Sequence, residues 1–388
     1  MKSIRDFGVL PENSPDLNKA NLQNAIDWAS PRGAALYVEP GDEPYRLDAG
    51  VVLKMNASLI GAHGPVGRGT RHPTKAQPVG SVIATVDERE PLLTVEGATR
   101  LRGIQFWYPN QTLTDPEKIV PYPPTIQASR TSTAQGVTLS SLTFYGEYVA
   151  MDFNCSAKMT CEQVLIEHCY GYPLSGEFVR IDHCYDIPRI LHCHVNPANM
   201  RLFAGQFSKR VVDAVVGRGT FAYAIDHTDN AQVMDVFTFG TGGGIRLGAA
   251  SYGQLTNFAF DCVTVGIHKL GDGDFNRNWQ IAQGSIIANA GPRLEDVHPI
   301  VIEGQGHTAM TNVEAFSADN RALTNYKRSR DFMLVRGSRR LTVSLVGSRM
   351  RNYAAEEPIT VENPKALVRI VACVDKHERL FEKTIGEP

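Results

Sequence analysis

Carboxylates that follow short strand-like segments are the residues of this chain best suited to carry chemistry. Asp226 and Glu303 each come directly after a run of alternating aliphatic residues. Glycoside hydrolysis needs two carboxyl groups, one protonated as a general acid and one ionised as a base or nucleophile. Asp226 and Glu303 are therefore the preferred predicted catalytic residues, and an ordinary turn role through Asx hydrogen bonds is the alternative for each. The rival predicted carboxylates are Asp229, Asp272 and Asp274.

Basic side chains recur in the same part of the chain. Arg180, Arg246 and Lys269 are predicted to form an outward-facing cationic stripe. This prediction treats Leu270 as the inward residue equivalent to Leu247. The stripe would suit a uronate polymer and would offer a lyase the charge that neutralises a uronate carboxylate; a solvated strand face is the alternative. The other predicted substrate-binding residues are Asp182, His227, His268, His307, Trp107 and Tyr108.

The elements that would position these residues recur at a regular interval. Ile225 and Leu247 are 22 positions apart, and Leu247 and Leu270 are 23 positions apart. Self-similarity at such an interval is typical of a solenoid. Short alternating strands closed by Gly, Asn or Asp favour a parallel β-helix over a sandwich. The predicted fold class is all-β, a single-stranded right-handed parallel β-helix.

An amphipathic helix is predicted ahead of the repeats, where it would cover the open first turn of the solenoid. Ser14, Pro15 and Asp16 form a helix-start pattern, and residues 31–33 end the helix. The apolar residues at helical spacing are Leu17, Leu22, Ala25, Ile26 and Ala29.

The predicted organisation is one domain over residues 1–388, with the cap and first strands in 1–60, the coils in 61–375 and a tail in 376–388. Two long loops interrupt the coils at 107–124 and 196–220, and residues 206–216 are predicted to form a short helix in the second. Long loops in a compact repeat protein usually carry function or a subunit contact. For the proline-rich loop 107–124, an equally weighted alternative is a structural role, as a rigid brace against the outside of the coils.

Several N-terminal segments share the pattern of a known family. They are Asp6-Phe7-Gly8, residues 25–27, residues 36–41 and Tyr45, with further segments at 106–111, 121–126 and 181–186. This set resembles pectate-lyase-like right-handed β-helix proteins, in the branch related to glycoside hydrolase family 28. The resemblance implies the fold, a carbohydrate-related role and a homotrimer formed side by side. The Asp-Asp and Arg-Ile-Lys motifs of the family 28 hydrolases are absent, so their catalytic roles are not transferred.

The predicted function is a polysaccharide-active glycoside hydrolase with paired carboxylates in a cleft along an exposed parallel sheet, acting on an acidic glycan. Two alternatives stay open. One is a lyase or epimerase of a uronate polymer, and the other is a non-catalytic saccharide-binding or tailspike-like structural protein.

Composition narrows the expected partners and cofactors. With 39 basic and 41 acidic residues, the chain is not expected to bind nucleic acid, and no apolar run suggests a membrane span. The Cys and His residues between 155 and 194 lack metal-ligand spacing, so no metal and no cofactor are expected. Cys169 and Cys193 are instead predicted to point inward and to pack as small hydrophobic residues. No secretory signal is visible; the expected location is extracellular or periplasmic if a signal was removed, and otherwise cytoplasmic.

Overall fold

The structure is a computed structural model that describes residues 1–64, 70–199, 208–248, 250–270, 278–291, 293–317 and 327–386. Within these ranges the chain is mostly β-strand, and the strands pair almost entirely in parallel. Its contacts divide it into two compact units, Met1–Val211 (unit 1) and Val212–Pro388 (unit 2). The organisation as one continuous domain stays a prediction.

The helices are few and short in the described ranges. Helix α1 spans Pro15–Ala29 and helix α2 spans Lys209–Gly217, which confirms the two predicted helices. No helix there is long and apolar enough to cross a membrane. The 3-10 helices are Ile4–Phe7, Ser30–Arg32, Pro116–Lys118, Pro197–Asn199 and Leu294–Asp296.

The buried face of helix α1 differs from the predicted one at a single position. Leu22, Ala25 and Ile26 are buried as predicted, but Leu17 is exposed and Asn18 is buried in its place. The Asn18 side chain accepts a hydrogen bond from the backbone N–H of Leu10 and donates to the Leu10 carbonyl oxygen. Burial of Asn18 is therefore matched by hydrogen bonds, whereas the hydrophobic pattern alone favoured Leu17.

Unit 1 consists of ladders in which each strand pairs in parallel with the next strand of the same ladder. The first ladder is Val51–Leu53, Leu93–Val95, Ile126–Ala128, Val149–Asn154 and Glu177–Asp182. The second is Lys2–Ser3, Ala35–Val38, Ser58–Gly61, Arg100–Arg102, Thr138–Ser140, Leu165–Glu167 and Arg189–Leu191. The third is Tyr45–Arg46, Val82–Ala84, Gln105–Trp107, Thr143–Tyr145, Tyr170–Gly171 and His194–Val195. A short fourth ladder is Ala134–Gln135, Cys161–Glu162 and Cys184–Tyr185.

Unit 2 repeats the arrangement with longer strands. Its main ladder is Phe221–Ile225, Gly243–Leu247, Val265–Lys269, His298–Glu303, Met333–Arg336 and Ile359–Val361, all parallel. The opposing strands are Ala231–Met234, Phe237–Phe239, Gly253–Val263, Trp279–Ala288, Gly306–Phe316, Leu341–Val346, Arg349–Met350 and Ala366–Val374. Leu380–Ile385 pairs antiparallel with the last of these, so it covers an edge that would otherwise be open.

A bend recurs at one position along the opposing strands of unit 2. Asn257, Gln283 and Asn312 all adopt left-handed backbone conformations, with φ of 51°, 56° and 54°. The flanking residues pair in register across the three strands, so these residues occupy equivalent positions. Asn tolerates the left-handed region better than most residues, which explains why it recurs there.

The proline-rich loop 107–124 packs against unit 1. Tyr108 and Tyr122 are buried, with ring centroids 4.6 Å apart. The Gln111 side-chain amide donates to the carbonyl oxygens of Val120, at 2.9 Å, and Gly146, at 3.0 Å. These contacts favour the brace interpretation of this loop.

The cysteines belong to the interior. All seven are buried, including Cys169 and Cys193, which were predicted to point inward. Burial raises the pKa of the Cys169 thiol, consistent with a cysteine that packs as a small hydrophobic residue.

Candidate functional site

The main ladder of unit 2 positions four of the predicted site residues, which are Asp226, Arg246, His268 and Glu303. Its register pairs Ala224 with Arg246, Arg246 with His268, and His268 with Val301. Parallel strands stack about 4.8 Å apart, so Arg246 and His268 are immediate neighbours on one face. We refer to Asp226, Arg246, His268, Glu303 and Arg336 as the charged cluster.

The register contradicts the predicted position of Lys269. Leu247 pairs with Lys269, not with Leu270, and Lys269 pairs in turn with Ile302. A shift of one residue moves a side chain to the opposite face of a strand. His268 therefore takes the outward position beside Arg246, and the predicted stripe of Arg180, Arg246 and Lys269 is wrong at Lys269.

Lys269 instead lies in the interior column formed by Ile225, Leu247, Ile302 and Val335. It is 3% exposed, and its Nζ donates to the carbonyl oxygen of Gln305 at 3.2 Å. Burial lowers the pKa of Lys269 to about 8, because the charged ammonium loses its hydration.

Glu303 is the centre of the charged cluster. Its Oε1 lies 2.7 Å from His268 Nε2, and its Oε2 accepts a hydrogen bond from Arg336 Nε at 2.7 Å. The bond to His268, together with the one to Arg336, lowers the pKa of Glu303 to about 2 despite partial burial. Glu303 is therefore ionised at neutral pH and is unsuited to the role of general acid.

The ionised state of Glu303 sets the tautomer of His268. A carboxylate only accepts hydrogen bonds, so His268 Nε2 carries the proton that bridges to Glu303. Nδ1 then holds the lone pair when the ring is neutral. No described residue forms a hydrogen bond with Nδ1. A carboxylate that orients a histidine in this way prepares its other nitrogen to act as a base.

Asp226 occupies the other end of the charged cluster and forms an ion pair with Arg246. Gly248 makes room for it, since a Cβ at this position would overlap the Asp226 carboxylate. Both carboxylates of the cluster thus have cationic partners.

Asp226 and Glu303 do not form a catalytic pair by themselves. They follow Ile225 and Ile302, which are separated in the ladder by three pairing steps. Three steps amount to roughly 14 Å, beyond the roughly 6.5–9.5 Å between the carboxyl groups of an inverting hydrolase. A role for either residue alone stays a prediction.

An aromatic side chain borders the charged cluster. Phe221 is half-buried, and its ring centroid lies 5.9 Å from that of His268. Gly243 permits this position, because a Cβ there would overlap the Phe221 ring. Phe221 is not among the predicted site residues, because its proximity to His268 depends on the register of the ladder.

The other predicted site residues of unit 2 are not part of the charged cluster. His227 is exposed, and Asp229 is half-buried. His307 Nε2 lies 3.1 Å from Ser344 Oγ, on an opposing strand and not on the main ladder. Asp272 and Asp274 fall outside the described residues.

The remaining predicted residues belong to unit 1. Arg180 forms ion pairs with Glu177 and, at 3.8 Å, with Asp152. Asp182 accepts a hydrogen bond from the backbone N–H of His183 at 2.8 Å. Their substrate contacts stay predictions.

Two aromatic residues of unit 1 differ in their access to solvent. Trp107 is half-buried at the end of its strand. Tyr108 is buried, and its hydroxyl lies 2.8 Å from Thr125 Oγ1. The position of Tyr108 gives no support to its predicted substrate contact, because its side chain is engaged in packing the loop 107–124.

Unit 1 also contains a concave surface that the sequence did not indicate. A cavity of about 480 Å³ opens on the outward face of its second ladder, between Arg100, Arg102 and Glu167. Ser140 Oγ donates to Glu167 Oε1 at 2.9 Å. These residues come from three different strands, and only the register shows that they meet.

Comparisons with known proteins bear on the fold. No family model and no curated protein matches the sequence. The chain is similar to the N-terminal fragment of gene product 12 of bacteriophage Phi29, with a TM-score of 0.62 and 13% identity over 96% of this chain and 66% of that one. It is also similar to DFA-IIIase from Arthrobacter chlorophenolicus A6, with a TM-score of 0.60 and 11% identity over 98% and 96% of the two chains. The complex of that enzyme with GF2 gives a TM-score of 0.56 at 10% identity over 98% and 95%.

These similarities show the fold alone, a mostly β architecture with parallel sheets. The chain spans just under two thirds of the Phi29 fragment and nearly all of DFA-IIIase. Membership of the branch related to glycoside hydrolase family 28 stays a prediction.

Proposed function

We propose that this chain is a polysaccharide-active enzyme that acts on an acidic glycan at the charged cluster, and that its ladders form a right-handed parallel β-helix. One observation carries the functional proposal: an ionised Glu303 orients His268, and Arg246 lies in register beside that histidine. The similarity in fold to DFA-IIIase is consistent with a role on carbohydrates.

The charged cluster has the groups that an acidic sugar chain requires. Arg246 and Arg336 present guanidinium groups on strands that flank His268 and Glu303. Guanidinium binds carboxylate with two parallel hydrogen bonds, so a uronate is a fitting ligand. Phe221 offers an aromatic edge beside His268 against which a sugar ring can pack.

Among the described residues, the cluster suits elimination better than hydrolysis by two carboxyl groups. Elimination requires a base near the carbon next to the uronate carboxylate and a cation that neutralises that carboxylate. His268 Nδ1 would take the proton from this carbon and Arg246 would hold the carboxylate. The electrons of the broken C–H bond form the C=C bond, and the bond to the glycosidic oxygen breaks. That oxygen takes up a proton from water, and His268 then returns its proton to the solvent.

Hydrolysis is the second candidate, and it requires a general acid from outside the charged cluster. Glu303 is ionised and Asp226 is paired with Arg246, so a protonated acid has to come from elsewhere. Asp272 and Asp274, outside the described residues, are the predicted sources.

A polysaccharide panel tests the proposal. The protein is incubated with polygalacturonate, alginate, hyaluronan and a neutral glucan, while reducing ends and ultraviolet absorbance are followed. Both signals on an acidic polymer would support elimination, and reducing ends alone would support hydrolysis. Cleavage of the neutral glucan only, or binding without cleavage of any polymer, would overturn the proposal.

A further inference from the structure

A second polar cavity lies in unit 2, away from the main ladder. It has a volume of about 530 Å³ and opens where the strand Gly306–Phe316 ends, beside the turn that follows Ala366–Val374. Cavities of this size hold small ligands. The residues that decide its character are Phe316, Arg328, Arg351, Tyr353, Lys376 and Glu378.

Two aromatic rings position two cations of this cavity. Arg351 lies over the Phe316 ring, with the guanidinium carbon 4.7 Å from the centroid. Lys376 Nζ lies 4.7 Å from the centroid of the buried Tyr353 ring and donates to the Ala355 carbonyl oxygen at 2.6 Å. Cation–π contacts of this kind restrict the long side chains, so less conformational entropy is lost when a ligand binds.

The charge balance of the cavity favours an anion. Arg328, Arg351 and Lys376 face a single lining carboxylate, Glu378. Glu378 is itself paired with Arg349, which lies outside the lining, at 2.7 Å. No described residue forms an ion pair with Arg328, which is exposed at the rim.

Arg351 has one carboxylate partner of its own. Glu314 Oε1 lies 2.9 Å from Arg351 Nε, although neither of these two atoms makes a well-formed hydrogen bond among the described residues. The interaction restrains the guanidinium from one side and leaves its other N–H groups to bind a ligand. A planar guanidinium next to an ammonium is a good receptor for a carboxylate.

We infer that this cavity is an accessory binding site for an anionic, monosaccharide-sized group. The identification of that group as a uronate rests on the proposed function; the requirement for an anion rests on the cavity alone. The site would hold one sugar unit of an acidic glycan while the charged cluster acts on another part of the polymer.

Titration of the full chain with galacturonate, galactose and inorganic phosphate, followed by NMR, tests the inference. Galacturonate should perturb resonances of the cavity, and galactose should not. Arg328→Gln combined with Lys376→Gln should weaken galacturonate binding at least tenfold. Arg293→Gln, which removes a surface cation outside the cavity lining, should leave galacturonate binding unchanged. Lys376→Arg keeps the positive charge, so this single variant should bind galacturonate as the wild type does.

The outcomes separate this inference from the proposed function. His268→Gln should abolish cleavage without weakening galacturonate binding at the cavity. Phosphate binding without galacturonate binding would overturn the sugar assignment. Equal binding by the wild type and the double variant, at unchanged thermal stability, would overturn the site itself.

Discussion

At the scale of single residues, the most informative position is Lys269, because its side chain lies among aliphatic residues. The unfolded chain keeps the Lys269 proton up to its ordinary pKa of about 10.4, whereas the folded protein loses it near a pKa of about 8. The unfolded state therefore binds more protons between these values, and stability rises with pH in this window. Below it, the buried charge lowers stability.

Lys269→Met should therefore stabilise the protein at neutral pH. We expect an increase of about 1–3 kcal/mol in the free energy of unfolding at pH 7, shrinking as the pH approaches 10.5. Urea unfolding at several pH values measures both effects. A loss of stability at pH 7, or a gain that does not depend on pH, would contradict the buried position of this lysine.

Glu147 in unit 1 should make stability depend on pH in the opposite direction. It is buried, its carboxylate oxygens lack a well-formed hydrogen bond among the described residues, and burial raises its pKa to about 8. Between its unfolded pKa of about 4.3 and this value the folded state binds more protons, so stability falls as the pH rises through this window.

Glu147→Gln, which cannot ionise, should remove that pH dependence. The variant should gain at least about 2 kcal/mol over the wild type between pH 5 and pH 9. Thermal unfolding of both proteins at the two pH values provides the measurement. The exposed Glu117→Gln is the matched control and should show no such gain.

At the scale of elements, the register of the main ladder decides which residues meet. Ile225, Leu247 and Lys269 pair in one column and follow each other at a constant interval of 22 positions. The sequence analysis predicts Leu270 as the inward residue of this column, because Leu270 is aliphatic and Lys269 is not. The hydrophobic pattern therefore selects Leu270 as the inward residue, whereas the constant spacing selects Lys269. The register of the ladder agrees with the spacing. A buried lysine breaks the hydrophobic pattern on which such alignments depend.

A buried polar network connects three consecutive segments of the main ladder. They are the strand His298–Glu303, the residues just before Met333–Arg336, and the strand Ile359–Val361. Asp331 Oδ1 lies 2.7 Å from His298 Nδ1, and Asp331 Oδ2 accepts a hydrogen bond from Thr360 at 2.7 Å. His298 Nε2 lies 2.8 Å from the Glu295 carbonyl oxygen, so the imidazole is engaged on both sides. Asp331 is fully buried, so water cannot replace it as the hydrogen-bond acceptor of His298 and Thr360.

Asp331→Ala should destabilise unit 2 because it leaves His298 and Thr360 without their shared acceptor. We expect a loss of about 2–4 kcal/mol in the free energy of unfolding. Thr360→Val, which removes only one bond, should cost about 1 kcal/mol. Chemical denaturation measures both, and equal stability of Asp331→Ala and the wild type would show that the network contributes nothing.

At the scale of the whole molecule, much of the fold could be predicted from the sequence. Helix α1, the short paired strands and the inward cysteines follow from local patterns of polarity and turn residues, as at Ser14–Pro15 and Cys169. The candidate site could be predicted only in part. His268 and Glu303 were recognised by residue type, but their contact joins residues 35 positions apart and requires the register.

The rest of the site depends on features that a single sequence does not display. Phe221 reaches His268 because Gly243 lies between them without a side chain, and Arg336 reaches Glu303 from the next strand of the ladder. The cavity between Arg328 and Lys376 likewise joins two distant segments. Long-range pairing, not local propensity, brings these groups together.

The central claim is that His268, held by Glu303, acts on an acidic polysaccharide. The most direct measurement compares kcat/KM of the wild type, His268→Gln and Arg293→Gln on the acidic polymer that the wild type cleaves. Arg293 is a surface residue paired with Asp296, so Arg293→Gln should retain full activity. His268→Gln should lose at least about 100-fold in kcat/KM, because it removes a general base. Unchanged activity of His268→Gln, or no cleavage of any acidic polymer by the wild type, would contradict the account.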